Sequence, residues 1–112
     1  MTDKSSSGYV TVFVTAANKD EAEVIARTLV QDRLVACANV MDVVTSYFRW
    51  EGKVQTEDEV VLLAKSRSAL FPDIEARVKE LHSYDCPCIV AWPIEEGSAD
   101  YLAWIEAETS TR

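Results

Sequence analysis

Apolar positions along the chain fall into short runs of two periods. Tyr9-Val-Thr-Val-Phe-Val-Thr15 alternates and is rich in β-branched side chains, which predicts a strand. Asn18 then stands where a helix N-cap belongs, and Glu21 lies three residues on, able to reach back to the N–H of the cap. Ala22, Ile25, Ala26, Leu29 and Val30 follow one helical face, so the spacing predicts a helix to about Arg33. Val35 to Trp50 has strand character and ends at Glu51-Gly52, a hairpin turn in which Gly52 can take positive φ. Val54 to Lys65 returns as the partner strand, through the acidic cluster Glu57-Asp58-Glu59 and the apolar run Val60 to Ala64. Ser66 to Ser68 offers caps for a second helix, in which Leu70, Ile74, Val78 and Leu81 share a face and Pro72 must lie in the first turn. Cys88 to Trp92 predicts a last strand stopped by Pro93. Ser98 caps a short final helix with Tyr101, Leu102, Trp104 and Ile105 as its bulk.

The order is β-α-β twice, then a short helix, with no Pro/Gly linker between the halves. Two such units in tandem interleave as an α+β, ferredoxin-like sandwich. Both long helices then cover one sheet face, yet the strands are apolar on both: Val10, Val12 and Val14 alternate with Tyr9 and Phe13, and Val60, Leu62 and Ala64 with Val61 and Leu63. Each buried aliphatic contributes about 1.5–3 kcal/mol, so a wet second face would forfeit many kcal/mol. Self-association is the expected cover, and the long hairpin from Val43 to Val60 is suited to pair with the edge of a neighbour.

Length sets the scale: 112 residues make one domain, with residues 1–8 a polar, Ser-rich, flexible N-terminus and 9–112 the folded unit. The formal charge of -8 repels nucleic acid. No stretch has the apolar core of a secretory signal or the length of a membrane span. Cys37, Cys86 and Cys88 are odd in number, and two are separated by a single residue, so reduced thiols and a cytoplasmic location are expected.

Candidate chemistry gathers at a few places. His82, Cys86 and Cys88 lie within seven residues and are suitable ligands for copper or another divalent cation, although their spacing matches no zinc finger. The plainer reading has the cysteines as small buried hydrophobes flanking Pro87 and His82 as a helix end. Glu59, Val61, Leu63 and Lys65 share one strand face, so the two charges form either a polar cleft between subunits or an interfacial ion pair. Trp50, Tyr84, Trp92, Tyr101 and Trp104 could stack a ligand or simply fill core and interface. Cys37 lacks an activating context, and there is neither a glycine-rich phosphate loop nor a Gly-x-Ser-x-Gly elbow, so no catalytic residue and no organic cofactor are expected.

Ala36-Cys37-Ala38-Asn39-Val40, Tyr47-Phe48-Arg49-Trp50-Glu51-Gly52, Glu59 through Lys65, His82-Ser83-Tyr84 before Pro87, and Asp100-Tyr101-x-x-Trp104 together resemble the CutA family of divalent-cation tolerance proteins. The resemblance runs in order from about Tyr9 to Ile105. It implies a ferredoxin-like protomer in a homotrimer similar to the PII signalling proteins. It also implies a cytoplasmic, non-enzymatic role in tolerance of copper and other divalent cations, with a cellular protein partner still to be identified. Some bacterial members carry copper ligands at a strand position that is Val14 here and at two successive histidines that are Leu81 and His82 here. By resemblance, Trp50, Glu59, Lys65 and Tyr84 line the cleft between subunits, where a PII-like trimer would bind a small molecule as the alternative function.

Overall fold

The chain forms β1 (Tyr9–Ala16), α1 (Lys19–Gln31), β2 (Cys37–Trp50), β3 (Lys53–Arg67), α2 (Phe71–Leu81), β4 (Ile89–Pro93) and α3 (Ala99–Glu108), with a 3-10 turn at Ser68–Leu70 leading into α2. The structure is a computed structural model that describes residues 8–109. The stretch read as a flexible N-terminus lies outside those residues except for Gly8, whose carbonyl accepts the Ser68 N–H at 2.7 Å.

The four strands form one sheet in the order β2-β3-β1-β4, and all neighbouring pairs are antiparallel. Each β-α-β unit therefore brackets a strand of the other, which is the α+β ferredoxin-like interleaving expected from the element order. Val12, Val14 and Ala16 on β1 and Leu62 and Ala64 on β3 point to the helices and are almost fully buried. Val12, Val14, Leu62 and Ala64 pack with Ile25, Ala26 and Leu29 of α1 and Ile74 and Val78 of α2, while Ala16 packs with Ala22 and Val60. Period-two and period-3.6 patterns meet there in one dry layer.

Several local details depart from the expected ones. Ser66 does not cap α2. Its hydroxyl is fully buried and donates to the Leu34 carbonyl at 2.6 Å, and α2 begins without a side-chain cap, with Pro72 in its first turn. Pro93 ends β4 from within, opposite Val10, which an edge strand tolerates because the missing N–H faces outward. α1 ends at Gln31, two residues early, in a Schellman motif: the Leu34 N–H reaches the Leu29 carbonyl and the Arg33 N–H that of Val30, each at 3.0 Å. Arg33 takes the left-handed position (φ 60°) that glycine usually fills. Its guanidinium donates to the carbonyls of Ala107 and Glu108 at the end of α3.

β2 and β3 pair along their length except at one bulge. Val40 faces Leu62 but Val43 faces Val60, so β2 carries one extra residue there and its side chains exchange faces. Beyond the bulge the two strands run out as an arm whose Val43, Tyr47 and Val54 are largely exposed. The Cα radius of gyration, 14.7 Å, exceeds the about 13 Å of a compact domain this long, as an arm requires. The sheet face away from α1 and α2 is less uniformly apolar than the strand pattern implied. Thr11 and Thr15 interleave there with Phe13, Val61 and Leu63. α3 lies over one end of this face, where the Tyr9 hydroxyl donates to Glu106 and Arg67 donates to Thr109. Val90 and Trp92 remain about half exposed, with Trp92 5.8 Å from the Phe13 ring.

Candidate functional site

The arm curls over the open sheet face and leaves a groove of about 830 Å³. Phe13 and Thr15 of β1 form its floor. Phe48 and Trp50 from β2 and Gln55, Glu57 and Glu59 from β3 form one wall, and the loop from Tyr84 to Cys88 forms the other. The bulge is what brings Phe48 and Trp50 into it. Without the extra residue, β2 positions of that parity would face the helix side. Glu57, Asp58, Glu59 and Asp85 line the groove against a single guanidinium, Arg49, so its field favours cations.

Of the four residues expected at a cleft between subunits, three stand together in this groove of the single protomer. Trp50, Glu59 and Tyr84 line the groove, and the Tyr84 hydroxyl donates to Glu59 Oε2 at 2.9 Å. Burial and the Glu59 carboxylate push the Tyr84 phenol up to about 12, so it remains a donor at neutral pH. Lys65 is not among the lining residues. It pairs with Thr11 and Cys37, six residues along β3 from Glu59, a distance of about 20 Å at roughly 3.3 Å per residue. Shared strand parity put both on one face without putting them near each other.

The expected metal set divides in the same way. Cys86 and Cys88 are free, exposed and both on the groove wall. His82 turns away from them, and its side chain has no exposed surface. Its Nδ1 accepts the Tyr84 N–H at 3.1 Å, which fixes the proton on Nε2, and Nε2 donates to the Thr15 carbonyl at 2.7 Å. With both ring nitrogens bound, His82 is a structural bracket between the loop and β1. Among the described residues no three His, Cys, Asp or Glu side chains converge as a metal cage requires.

Glu21 completes the bracket, a role that its capping position in the sequence does not announce. Asn18 does accept the Glu21 N–H at 2.9 Å, but the carboxylate spans further than a capping box: it accepts the Ala17 N–H at 3.0 Å and the Ser83 N–H at 3.2 Å. Burial alone would raise this carboxyl. The N–H of Ala17 and the hydroxyl and N–H of Ser83 outweigh it and hold the group below the usual carboxylate range. At the far end of the sheet, Cys37 Sγ lies 3.3 Å from the Tyr101 hydroxyl, and that contact together with burial pushes Tyr101 up to about 12. No spacing in the sequence signals a pair 64 residues apart.

The profile of the CutA1 divalent ion tolerance protein family matches residues 10–108. The "Divalent-cation tolerance protein CutA" of Thermus thermophilus is 43% identical over 98 residues, covering 88% of this chain and 95% of that protein. "Protein CutA, chloroplastic" of Arabidopsis thaliana is 37% identical over 100 residues, 89% of this chain, which spans 55% of that protein's length. A solved structure described as the periplasmic divalent cation tolerance protein CutA from Archaeoglobus fulgidus superposes with a TM-score of 0.88 at 39% identity, covering 90% of this chain and 98% of that one.

Proposed function

We propose, because the chain belongs to the CutA1 divalent ion tolerance family, that it serves tolerance of divalent cations, copper foremost, as a homotrimer without catalytic turnover. The observation that carries this reading is a sheet face left half open in the protomer. Phe13, Val90 and Trp92 form an apolar strip there, bounded by α3 at one end and the groove at the other. Two free strand edges accompany it, β4 on one side and the β2 arm on the other. An arm edge of one copy laid along β4 of the next repeats head to tail, a contact that makes a ring when its rotation returns to the first copy and a filament when it does not; we propose the ring. Three copies then cover the strip and enclose the groove as a cleft between subunits.

Cation handling fits the charge of the groove, which opposes the small anion that a PII-like sensor would hold. Lys65, the cation such a sensor would use, lies outside it. The free thiols suit the reducing cytoplasm, the compartment we propose for this chain. Among the described residues no helix is long and apolar enough to cross a membrane.

Sedimentation equilibrium over a wide concentration range, with growth of cells lacking or overproducing the protein in graded copper, tests the proposal. A mass near three times 12.5 kDa and a copper sensitivity that follows protein level are expected. A concentration-independent monomer, or growth indifferent to the protein at all copper levels, would overturn it.

A further inference from the structure

Glu59 is a carboxylate that folding has largely withdrawn from water: 9% of its surface is exposed, and it lines the groove. One oxygen takes the Tyr84 hydroxyl at 2.9 Å, and among the described residues no cation pairs with the group. A buried anion without a counter-charge is costly, so the position favours a cation that can reach it. Thr15 stands beside it on the groove floor. It is equally buried, its carbonyl is taken by His82, and its hydroxyl has no hydrogen-bond partner among the described residues. Thr15 faces Val61, so it and Glu59 are diagonal neighbours on one sheet face, about 7 Å apart, and one donor group between them reaches both. The Tyr84 oxygen, its proton turned to Glu59, keeps lone pairs for a third bond.

These acceptors select the cation. Three oxygens, one of them on a charged carboxylate, match the three N–H groups of a primary ammonium. A quaternary ammonium has no N–H to donate, and a divalent metal asks for a set of convergent ligands that is not found among the described residues. Glu57 follows on the same strand face, two residues along β3 and about 7 Å away at roughly 3.3 Å per residue. A second ammonium four carbons from the first lies about 6 Å from it, across five zigzag bonds of about 1.5 Å. Phe13 and Phe48 line the same groove and offer apolar surface to the methylenes.

We infer that the groove is a binding site for an aliphatic diamine, with one ammonium held by Glu59, Thr15 and Tyr84, the other by Glu57, and the carbon chain against Phe13 and Phe48. The groove belongs to the single protomer, so the inference goes beyond the cation-tolerance reading and does not rest on it.

The test is a calorimetric titration of the full chain with 1,4-diaminobutane at low ionic strength, with 1-aminobutane and magnesium chloride in parallel. Glu59→Gln, Thr15→Val and Glu57→Gln are compared with Glu75→Gln, which makes the same charge change on α2, where Glu75 pairs with Lys79. Circular dichroism checks that each variant is folded. One diamine per protomer is expected. Glu59→Gln should weaken it about 10-fold to 100-fold, and Thr15→Val about 3-fold to 10-fold, the losses that follow removal of a charged and a neutral hydrogen-bond partner. Glu57→Gln should bring the diamine down to the affinity of 1-aminobutane, a loss of about 3-fold for an exposed pair, and Glu75→Gln should bind as the wild type does. No saturable binding by the wild type, Glu59→Gln or Thr15→Val binding as tightly as the wild type, or equal weakening in Glu75→Gln would each overturn the assignment. So would 1-aminobutane or magnesium held as tightly as the diamine, because the groove would then read charge alone. Sedimentation mass and copper-dependent growth test the tolerance reading separately, so a failure here leaves that reading in place.

Discussion

Glu21 sits where α1, the end of β1 and the loop after α2 meet, and its charge does more than cap a helix. One oxygen takes the Ala17 N–H and the other the Ser83 N–H, with His82 Nδ1 3.4 Å away. Glutamine at this position keeps one acceptor and turns an amino group toward the other N–H. Glu21→Gln should therefore cost about 1–2 kcal/mol at pH 7, read by urea unfolding. Because the folded carboxyl lies below its ordinary 4.5, its contribution is fully present above that pH and is lost as pH falls through the folded value. The gap between wild type and variant should shrink from pH 7 to pH 3. A gap of the same size at both would mean that shape, not charge, accounts for the effect.

At the scale of elements, the C-terminal helix is held by two arginines rather than by a broad apolar seam. Arg33 donates to the Ala107 and Glu108 carbonyls at 2.8 and 3.1 Å, and Arg67 Nε to the Thr109 hydroxyl at 2.9 Å. Those are the carbonyls that a helix end leaves unpaired. Ile105 is the one fully buried side chain of this helix, and Thr109, its C-cap, is fully buried beside it. Arg33 also occupies a left-handed backbone position, so two effects can be separated by two substitutions. Arg33→Ala loses the clamp and keeps the strain; Arg33→Gly loses the clamp and relieves it. Glycine should be more stable than alanine by about 1 kcal/mol, with both below wild type in urea unfolding. Alanine equal to glycine would show that φ 60° costs nothing there. The hairpin arm is the other element whose form depends on one feature, the bulge between Val40 and Val43, which turns Phe48 and Trp50 into the groove.

Over the whole molecule, the proposed assembly depends on Trp92. Roughly half of its surface is still open, about 100 Å² or 2–3 kcal/mol per contact when covered. Trp92→Glu adds a carboxylate to that face of a chain already at -8. It should shift the sedimentation mass toward the single chain and leave circular dichroism unchanged, since the side chain lies outside the helix-side core. Val24→Glu, at an equally exposed position on α1, should leave the mass as it is. Loss of assembly in both variants would point to net charge rather than to the strip.

Periodicity alone fixed the order of strands and helices, the helix-side core of Val12, Val14, Leu62, Ile25 and Ile74, and the hairpin turn at Gly52. These are decided within a few residues, by the spacing of side chains on a strand or a helix. The make-up of the site was decided elsewhere. Lys65 stands outside the protomer's groove because strand parity gives a face and not a distance. His82 left it because Thr15, 67 residues away, supplied a carbonyl to its ring. Phe48 joined it because one extra residue in β2 exchanged the faces of everything beyond. Contacts between segments far apart in the chain leave no period in it, so only the folded arrangement could say which of the chemically able residues stand together.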